Sequence, residues 1–109
     1  VLSHWQDETI LIVCSGSNDQ FNIEDFYGAG YFVETFTNHQ GEKELELSDS
    51  AKAAQVFHRS GPAIDLLNSS RVGKMLSDRN WNEELVFACQ KDIYPVVPYL
   101  TSKGTVELF

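Results

Sequence analysis

Apolar and polar positions along the first third of the chain predict a strand, a turn and a helix. The stretch ETILIVCS at 8–15 is short, apolar and rich in β-branched residues, which is typical of a buried strand. GSND at 16–19 indicates a turn. Asn22 suits a helix cap. Apolar residues then recur at the spacing of one helix face: Phe26, Ala29, Val33 and Phe36.

The helix has a rival interpretation. Gly28 and Gly30 would each cost up to about 1 kcal/mol in a helix interior, and YFVETFT at 31–37 could form a strand instead. Glu24 and Asp25 favour the helix, because acidic side chains in a first turn complement the positive end of the helix dipole. We therefore predict a helix here.

The middle of the chain predicts a short strand and then helices. KELELS at 43–48 alternates leucine with glutamate, which favours a strand. Ser48 or Asp49 can cap a helix that continues to the Gly61-Pro62 pair. The segments AIDLL and SSRVGKML predict more helix with an interruption near 68–70.

The last quarter mixes one ambiguous segment with an extended end. EELVFACQ at 83–90 fits a strand or a helix equally well. IYPVVPYL at 93–100 is extended, and its prolines confine it to an edge or an irregular path. GTVELF at 104–109 could pair with it as a hairpin. This order of elements predicts an α/β fold, a small sheet with helices packed against it.

Length and composition fit one globular domain over residues 1–109. The chain is 42% hydrophobic and 22% charged, as in ordinary globular proteins. No apolar run reaches the ~18 residues that span a bilayer, and no leader pattern is visible, so we expect a cytoplasmic protein. Because the first residue is Val1 and not methionine, we also expect the domain to be part of a longer protein.

The net charge of the chain limits which classes of ligand it can bind. The net charge is −8, and residues 1–49 carry ten acidic side chains against one basic. Such a surface repels nucleic-acid phosphate. It also disfavours an anionic substrate unless a cation or local basic residues offset it. An acidic protein-docking surface at Glu44 and Glu46 is a further possibility.

The cysteines and the basic residues can each be explained by a structural role as well as by a functional one. Cys14 and Cys89 are expected to be buried free thiols, with one disulfide as the alternative. No CxxC spacing suggests zinc. Four basic residues could help to hold an anionic substrate, although solvated helix faces are the favoured role: Arg59, Arg71, Lys74 and Arg79.

The candidate chemistry lies where the predicted strand ends. Glu24 and Asp25 follow that end, where α/β folds place ligands, and carboxylate oxygens suit a hard cation such as Mg²⁺. The alternative is that both acids only complement the helix dipole, since neighbours on a helix point about 100° apart. Ser15 and Gly16 offer backbone N–H groups for an anion, or they form an ordinary loop.

Three segments in order resemble the C-terminal half of the 2-phosphosulfolactate phosphatase (ComB) family: LIVCSGSNDQFNIEDFYGAG, LSDSAKAA and DIYPVVPYL. The chain departs from the family pattern at Ser15, Asn22, Ile23 and the loop residues 19–20. It matches the pattern at Cys14, Gly16, Phe21, Glu24, Asp25, Ala29, Gly30, Ser48, Asp49, Asp92 and Pro98.

The resemblance implies a magnesium-dependent phosphatase that hydrolyses a small anionic ester such as 2-phospho-3-sulfolactate, a step toward coenzyme M. The candidate metal ligands stay Glu24 and Asp25 and the candidate substrate-binding residues Ser15 and Gly16, as their positions indicate, with no catalytic residue assigned. The partner would be the N-terminal half of the family protein or a second copy of the chain. The alternative is a non-catalytic structural or binding domain that lacks this half.

Overall fold

A computed structural model describes residues 8–39 and 45–109. The described residues form five helices and one antiparallel hairpin, in which Tyr99 lies opposite Glu107. The predicted class, a mixed α/β fold, is confirmed. The elements are α1 (Ile23–His39), α2 (Asp49–Arg59), α3 (Ala63–Asn68), α4 (Arg71–Asp78), α5 (Asn82–Ala88), β1 (Pro98–Leu100) and β2 (Val106–Leu108).

Most helix predictions are confirmed. Helix α1 covers the predicted stripe, so the strand interpretation of 31–37 is wrong. Ser48 caps α2, since its hydroxyl accepts the N–H of Ala51 at 3.2 Å. The helical structure is interrupted between α3 and α4 as expected. Most of the ambiguous segment 83–90 is helical and lies in α5. None of the described helices is long and apolar enough to cross a membrane.

The hydrophobic core lies where α1, α3 and α5 meet. Tyr27, Leu67 and Leu85 are buried together there. Half-buried side chains surround them: Phe57, Ala63, Ile64, Leu66, Leu76 and Cys89. Both cysteines are free, as predicted. Cys14 is exposed, so its predicted burial is wrong, because the segment that carries it lies outside this core.

The strand predicted at 8–15 does not form. Leu11 is 84% exposed and Val13 75%, and among the described residues no backbone hydrogen bond joins 9–14 to another segment. A β-branched run adopts a strand only when a neighbour pairs with its N–H and C=O groups. The part of the chain that the structure describes offers no such neighbour.

The second predicted strand, 43–48, is described only from residue 45 onward. Residues 45–48 form no ladder, but Leu45 and Leu47 are half-buried while Glu46 is exposed. This alternation of burial follows the predicted period of two. Glu44 lies outside the described residues.

His58 on α2 packs into an aromatic cluster against α1. Its ring centroid lies 4.6 Å from that of Tyr27 and 5.6 Å from that of Tyr31. The Nζ atom of Lys91 lies 4.7 Å from the centroid of the Tyr31 ring. The Nδ1 atom of His58 is buried and has no hydrogen-bond partner among the described residues. Burial, and then the charge of Lys91, lower the pKa of His58 below its usual value.

We expect His58 to make the fold sensitive to acid. Because its pKa is lowered in the folded state, the unfolded chain takes up a proton that the folded chain resists. This stabilisation is complete above about pH 6.5 and declines as the pH falls toward the folded-state pKa. The loss is at most about 1.4 kcal/mol per pH unit. Glu34 and Arg59, which also face the ring, act in opposite directions.

Urea unfolding of the chain and its His58→Phe variant between pH 7.5 and 5 measures this contribution. The variant should lose less stability on acidification than the original chain. His39→Phe, at the exposed end of α1, is the matched control and should follow the original curve. Parallel curves for all three proteins would contradict the assignment.

Candidate functional site

A tight turn precedes α1. The N–H of Ser17 donates to the carbonyl oxygen of Gln20 at 3.0 Å, and the reverse bond measures 3.1 Å. The two central residues, Asn18 and Asp19, have φ angles of 52° and 57°. Positive φ at both central positions is typical of a type I′ turn, and Asn and Asp tolerate it well. The predicted turn at 16–19 is therefore confirmed.

Asp25 anchors this turn to the start of α1. Its Oδ2 atom accepts the backbone N–H of Gly16 at 2.7 Å and lies 3.4 Å from the hydroxyl of Ser15. Gly16 has a φ of 67°, and a Cβ there would lie 2.4 Å from the carbonyl oxygen of Gln20. Only glycine fits this position. The N–H of Gly16 is thus already bonded to a carboxylate within the chain.

Glu24 binds a different partner. The hydroxyl of Ser70 donates to Oε1 of Glu24 and accepts the N–H of Gly73 at 2.8 Å. Ser70 caps α4 and is only 2% exposed. Glu24 therefore joins the start of α1 to the start of α4, while Asp25 faces the turn. The two adjacent acids diverge, as the helical angle between neighbours requires.

Arg71, the first residue of α4, reaches back to the turn. Its Nη2 atom donates to the hydroxyl of Ser17 and to Oδ1 of Asn22, both at 2.7 Å. Both partners are neutral, and in residues 8–39 and 45–109 no carboxylate pairs with this guanidinium. A guanidinium has five N–H donors, so Arg71 keeps donors and an uncompensated charge for an anion.

A hollow of about 540 Å³ lies along α4 on the side of Arg71. The residues that line it are Arg71, Lys74, Met75, Asp78 and Arg79. Three cations against one carboxylate make this area locally positive in a chain of net charge −8. Local basic residues of this kind are what an acidic protein needs to accept an anionic ligand.

Because the two carboxylates diverge, each suits a divalent cation only as one ligand of a hydrated site. Oε2 of Glu24 and Oδ1 of Asp25 have no hydrogen-bond partner among the described residues. Mg²⁺ is often held by one or two carboxylates together with waters and a substrate phosphate. Within 8–39 and 45–109, no group of three or more histidine, cysteine or acidic side chains could form a closed metal cage.

The thiol of Cys14 is a poor nucleophile in this setting. Desolvation, and then the negative charge of Asp25, raise the pKa of Cys14 above its usual value. A raised pKa keeps a cysteine in the unreactive thiol form. This agrees with the sequence analysis, which assigned no catalytic role to Cys14.

Sequence analysis placed Ser15, Gly16, Glu24 and Asp25 near one another; the structure joins Ser15, Gly16 and Asp25 at the turn, whereas Glu24 turns to Ser70 on α4. It missed Ser70 and the role of Asn22 as an arginine ligand, and it named Arg71 as one of four basic residues that could hold an anion, while favouring a solvated helix face for it. The signal for Ser70 was present, because a serine directly before a helix is a strong cap. The partners of Arg71 are 54 and 49 residues away, and no local pattern reveals them.

Known proteins were compared with the chain. The family model for 2-phosphosulpholactate phosphatase matches residues 1–103. A probable 2-phosphosulfolactate phosphatase of Carboxydothermus hydrogenoformans is 30% identical over 82% of this chain and 36% of its own length. A protein of the same description from Clostridium novyi is 29% identical over 84% and 38%. One from Thermotoga petrophila is 30% identical over 87% and 40%.

No solved structure matches the chain. The chain spans about two fifths of the length of the curated relatives it matches. The family model nevertheless covers nearly all of this chain, including the turn, both carboxylates and Arg71. The chain therefore belongs to the 2-phosphosulpholactate phosphatase family.

Proposed function

We propose that the chain supplies the anion-binding part of a magnesium-dependent phosphatase that acts on a small anionic phosphate ester such as 2-phospho-3-sulfolactate. The observation that carries this proposal is the uncompensated guanidinium of Arg71, fixed by Ser17 and Asn22 beside the turn. The relatives are described as probable phosphatases of this class of ester, which supports the substrate.

Each group near the turn has a role in this proposal. Arg71 and the hydroxyls of Ser15 and Ser17 bind the phosphate, and Gly16, which is bonded to Asp25 and lies against the Gln20 carbonyl, fixes the shape of the turn. Positive charge fixed in advance stabilises the negative charge that spreads over the phosphoryl oxygens in the transition state. Glu24 and Asp25 are the residues that would hold Mg²⁺, through their oxygens without a partner among the described residues, and the ion would supply Lewis-acid polarisation of the phosphoryl group.

In this proposal, the complete activity also needs the part of the family protein that this chain does not contain. The described residues around the turn include no side chain assigned here as a nucleophile or general base, and the chain spans two fifths of its relatives' length. We propose that it works as one domain of a longer phosphatase or with a second copy. Coenzyme M biosynthesis and a cytoplasmic location stay predictions.

A second candidate function is a non-catalytic binding domain. The observation in its favour is the exposed apolar surface of the hairpin, where Leu100, Val106 and Leu108 are each exposed by two thirds or more. A single two-stranded hairpin is marginal in water unless something packs on it. An acidic docking surface would use Glu46, which is exposed, together with Glu44.

Phosphate release from 2-phospho-3-sulfolactate tests the first candidate. Two proteins are assayed with Mg²⁺ and after EDTA treatment: the chain alone, and the chain fused to the region of the Carboxydothermus hydrogenoformans relative that it does not match. We expect Mg²⁺-dependent release in at least the fusion. Asp25→Asn, which keeps an acceptor for Gly16 but removes the charge, should lower kcat/KM by about 10² to 10³-fold.

Asp65→Asn, on the exposed face of α3, is the matched control and should leave the rate unchanged. If the Asp25→Asn enzyme kept the original rate, Asp25 would not be a metal ligand. Absence of metal-dependent release from both folded proteins would favour the binding domain.

A further inference from the structure

An apolar hollow of about 720 Å³ lies over helices α1 and α2. Its α1 side is the stripe Phe26, Ala29, Val33 and Phe36, and its α2 side includes Ala51 and Ala54. These are the faces that helices of an α/β domain pack against a sheet. Among the described residues, the only sheet is the C-terminal hairpin, so these faces lie against a hollow without a paired sheet above it.

Two segments without regular structure line the same hollow. One is 8–12 with Cys14, and the other is 45–48. Both carry the sequence pattern of strands, and among the described residues neither forms a ladder. Ile10, Leu11 and Val13 are 44%, 84% and 75% exposed. An apolar run that is exposed to this degree, with backbone groups unpaired, is a template for strand addition.

We propose that this hollow is the docking groove for a β-strand supplied by the part of the family protein that lies outside this chain. The incoming strand pairs with residues 9–14 and fills the hollow, whose floor residues Ala29, Val33 and Ala54 are already buried, so that the exposed Ile10, Leu11 and Val13 gain a neighbour. Segment 45–48, which lines the same hollow, is the second strand position of the completed sheet. The proposal rests on family membership and on this geometry, and it does not depend on phosphatase activity.

The chemistry of the groove defines its occupant. The interior is aliphatic and aromatic, so the inward side chains of the strand are apolar. Glu8 and Glu46 also line the hollow, so a lysine or arginine near an end of the strand would be favoured by charge. The relatives have about three fifths of their length beyond the matched region, which is ample chain for such a strand. A second copy of this chain would bring a further net charge of −8 to an edge that is already acidic.

Hydrogen–deuterium exchange followed by mass spectrometry tests the proposal in the chain alone and in the fusion to the unmatched region of the Carboxydothermus hydrogenoformans relative. We expect the amides of 9–14 to exchange rapidly in the chain alone and at least about tenfold more slowly in the fusion. The amides of α1 report that both proteins are folded. Rapid exchange at 9–14 in a fusion with a protected α1 would overturn the proposal.

Two variants test the groove when the unmatched region is produced separately and added to the chain. Leu11→Asp should weaken association by at least about tenfold, because one leucine loses its burial and a charge replaces it. Val56→Asp changes a residue of α2 that is 66% exposed and does not line the hollow, so it should bind as the original chain does. Equal binding by both variants would contradict the proposal.

The oligomeric state of the chain alone separates the two possible occupants. Light scattering after size-exclusion chromatography should show a monomer. A stable dimer with slow exchange at 9–14, abolished by Leu11→Asp, would mean that a second copy fills the groove and would overturn the proposal. None of these three measurements uses turnover, so failure of this proposal is distinct from failure of the proposed activity.

Discussion

Replacing Gly30 by alanine is expected to destabilise the fold by about 3 kcal/mol or more. A Cβ at this position would lie 2.1 Å from the carbonyl oxygen of Ala54 and 2.7 Å from the Cβ of His58. The nearer obstacle is the backbone of α2, which cannot rotate away as a side chain can. The methyl group would therefore force α1 and α2 apart and open the packing around Ala54, which is buried.

Thermal unfolding followed by circular dichroism measures this effect. A loss of about 3 kcal/mol in a domain of this size lowers Tm by roughly 10–20 °C. Gly28→Ala, two residues earlier on the same helix, is the matched control. A Cβ at Gly28 meets nothing within 4 Å, so this variant should gain up to about 1 kcal/mol from better helix propensity. If Gly30→Ala were as stable as Gly28→Ala, the close approach of α1 and α2 would be wrong.

These two glycines show the limit of sequence reasoning. In the sequence both weaken the helix prediction equally, because the intrinsic cost of glycine depends only on the residue type. The structure distinguishes them through α2, which approaches one and not the other. That contact depends on how two helices pack, and the spacing within α1 alone does not contain it.

Elements that depend on local signals were predicted well. The stripe from Phe26 to Phe36, the Ser48 cap and the break at 68–70 all lie within a few residues of the element they define. The hairpin of β1 and β2 follows from two nearby extended segments. In each case the interaction that forms the element is short-range, so the local sequence is sufficient.

The strand predicted at 8–15 fails for the opposite reason. Its residues have strong β propensity, but a strand is stabilised by pairs with another segment. Among the described residues no segment pairs with it. The pattern therefore describes what the segment can do with a partner. Under the docking proposal, that partner lies in the part of the family protein beyond this chain.

In the candidate site, too, the sequence predicted the short-range contacts and not the long-range ones. Sequence reasoning placed Glu24 and Asp25 in the first turn of α1, and the structure has them there. Asp25 binds a loop nine residues away. Glu24 binds Ser70 across 46 residues. Short-range geometry made the first contact foreseeable, whereas the second depends on how α4 packs beside α1.

Arg71→Gln is expected to lower kcat/KM for 2-phospho-3-sulfolactate by about 10² to 10³-fold, as strongly as Asp25→Asn. The substitution removes the uncompensated positive charge beside the turn together with the Nη2 donor to Ser17 and Asn22. Arg71→Lys keeps the charge and loses the planar fork that matches phosphate. Its activity should therefore lie between those of Arg71→Gln and the original protein.

Lys103→Gln removes the same charge from the exposed turn of the hairpin and should leave kcat/KM unchanged. The bonds of Arg71 to Ser17 and Asn22 also hold the turn to α4, so a loss of activity alone does not separate a structural role from a role in binding phosphate.

Competitive inhibition by inorganic phosphate separates these two roles. If Arg71 binds the phosphate group, inhibition by phosphate should weaken with salt in the original protein and lose most of that salt dependence in Arg71→Gln. A folded Arg71→Gln protein with unchanged phosphate inhibition would mean that the guanidinium only braces the turn, and the anion would have to bind elsewhere.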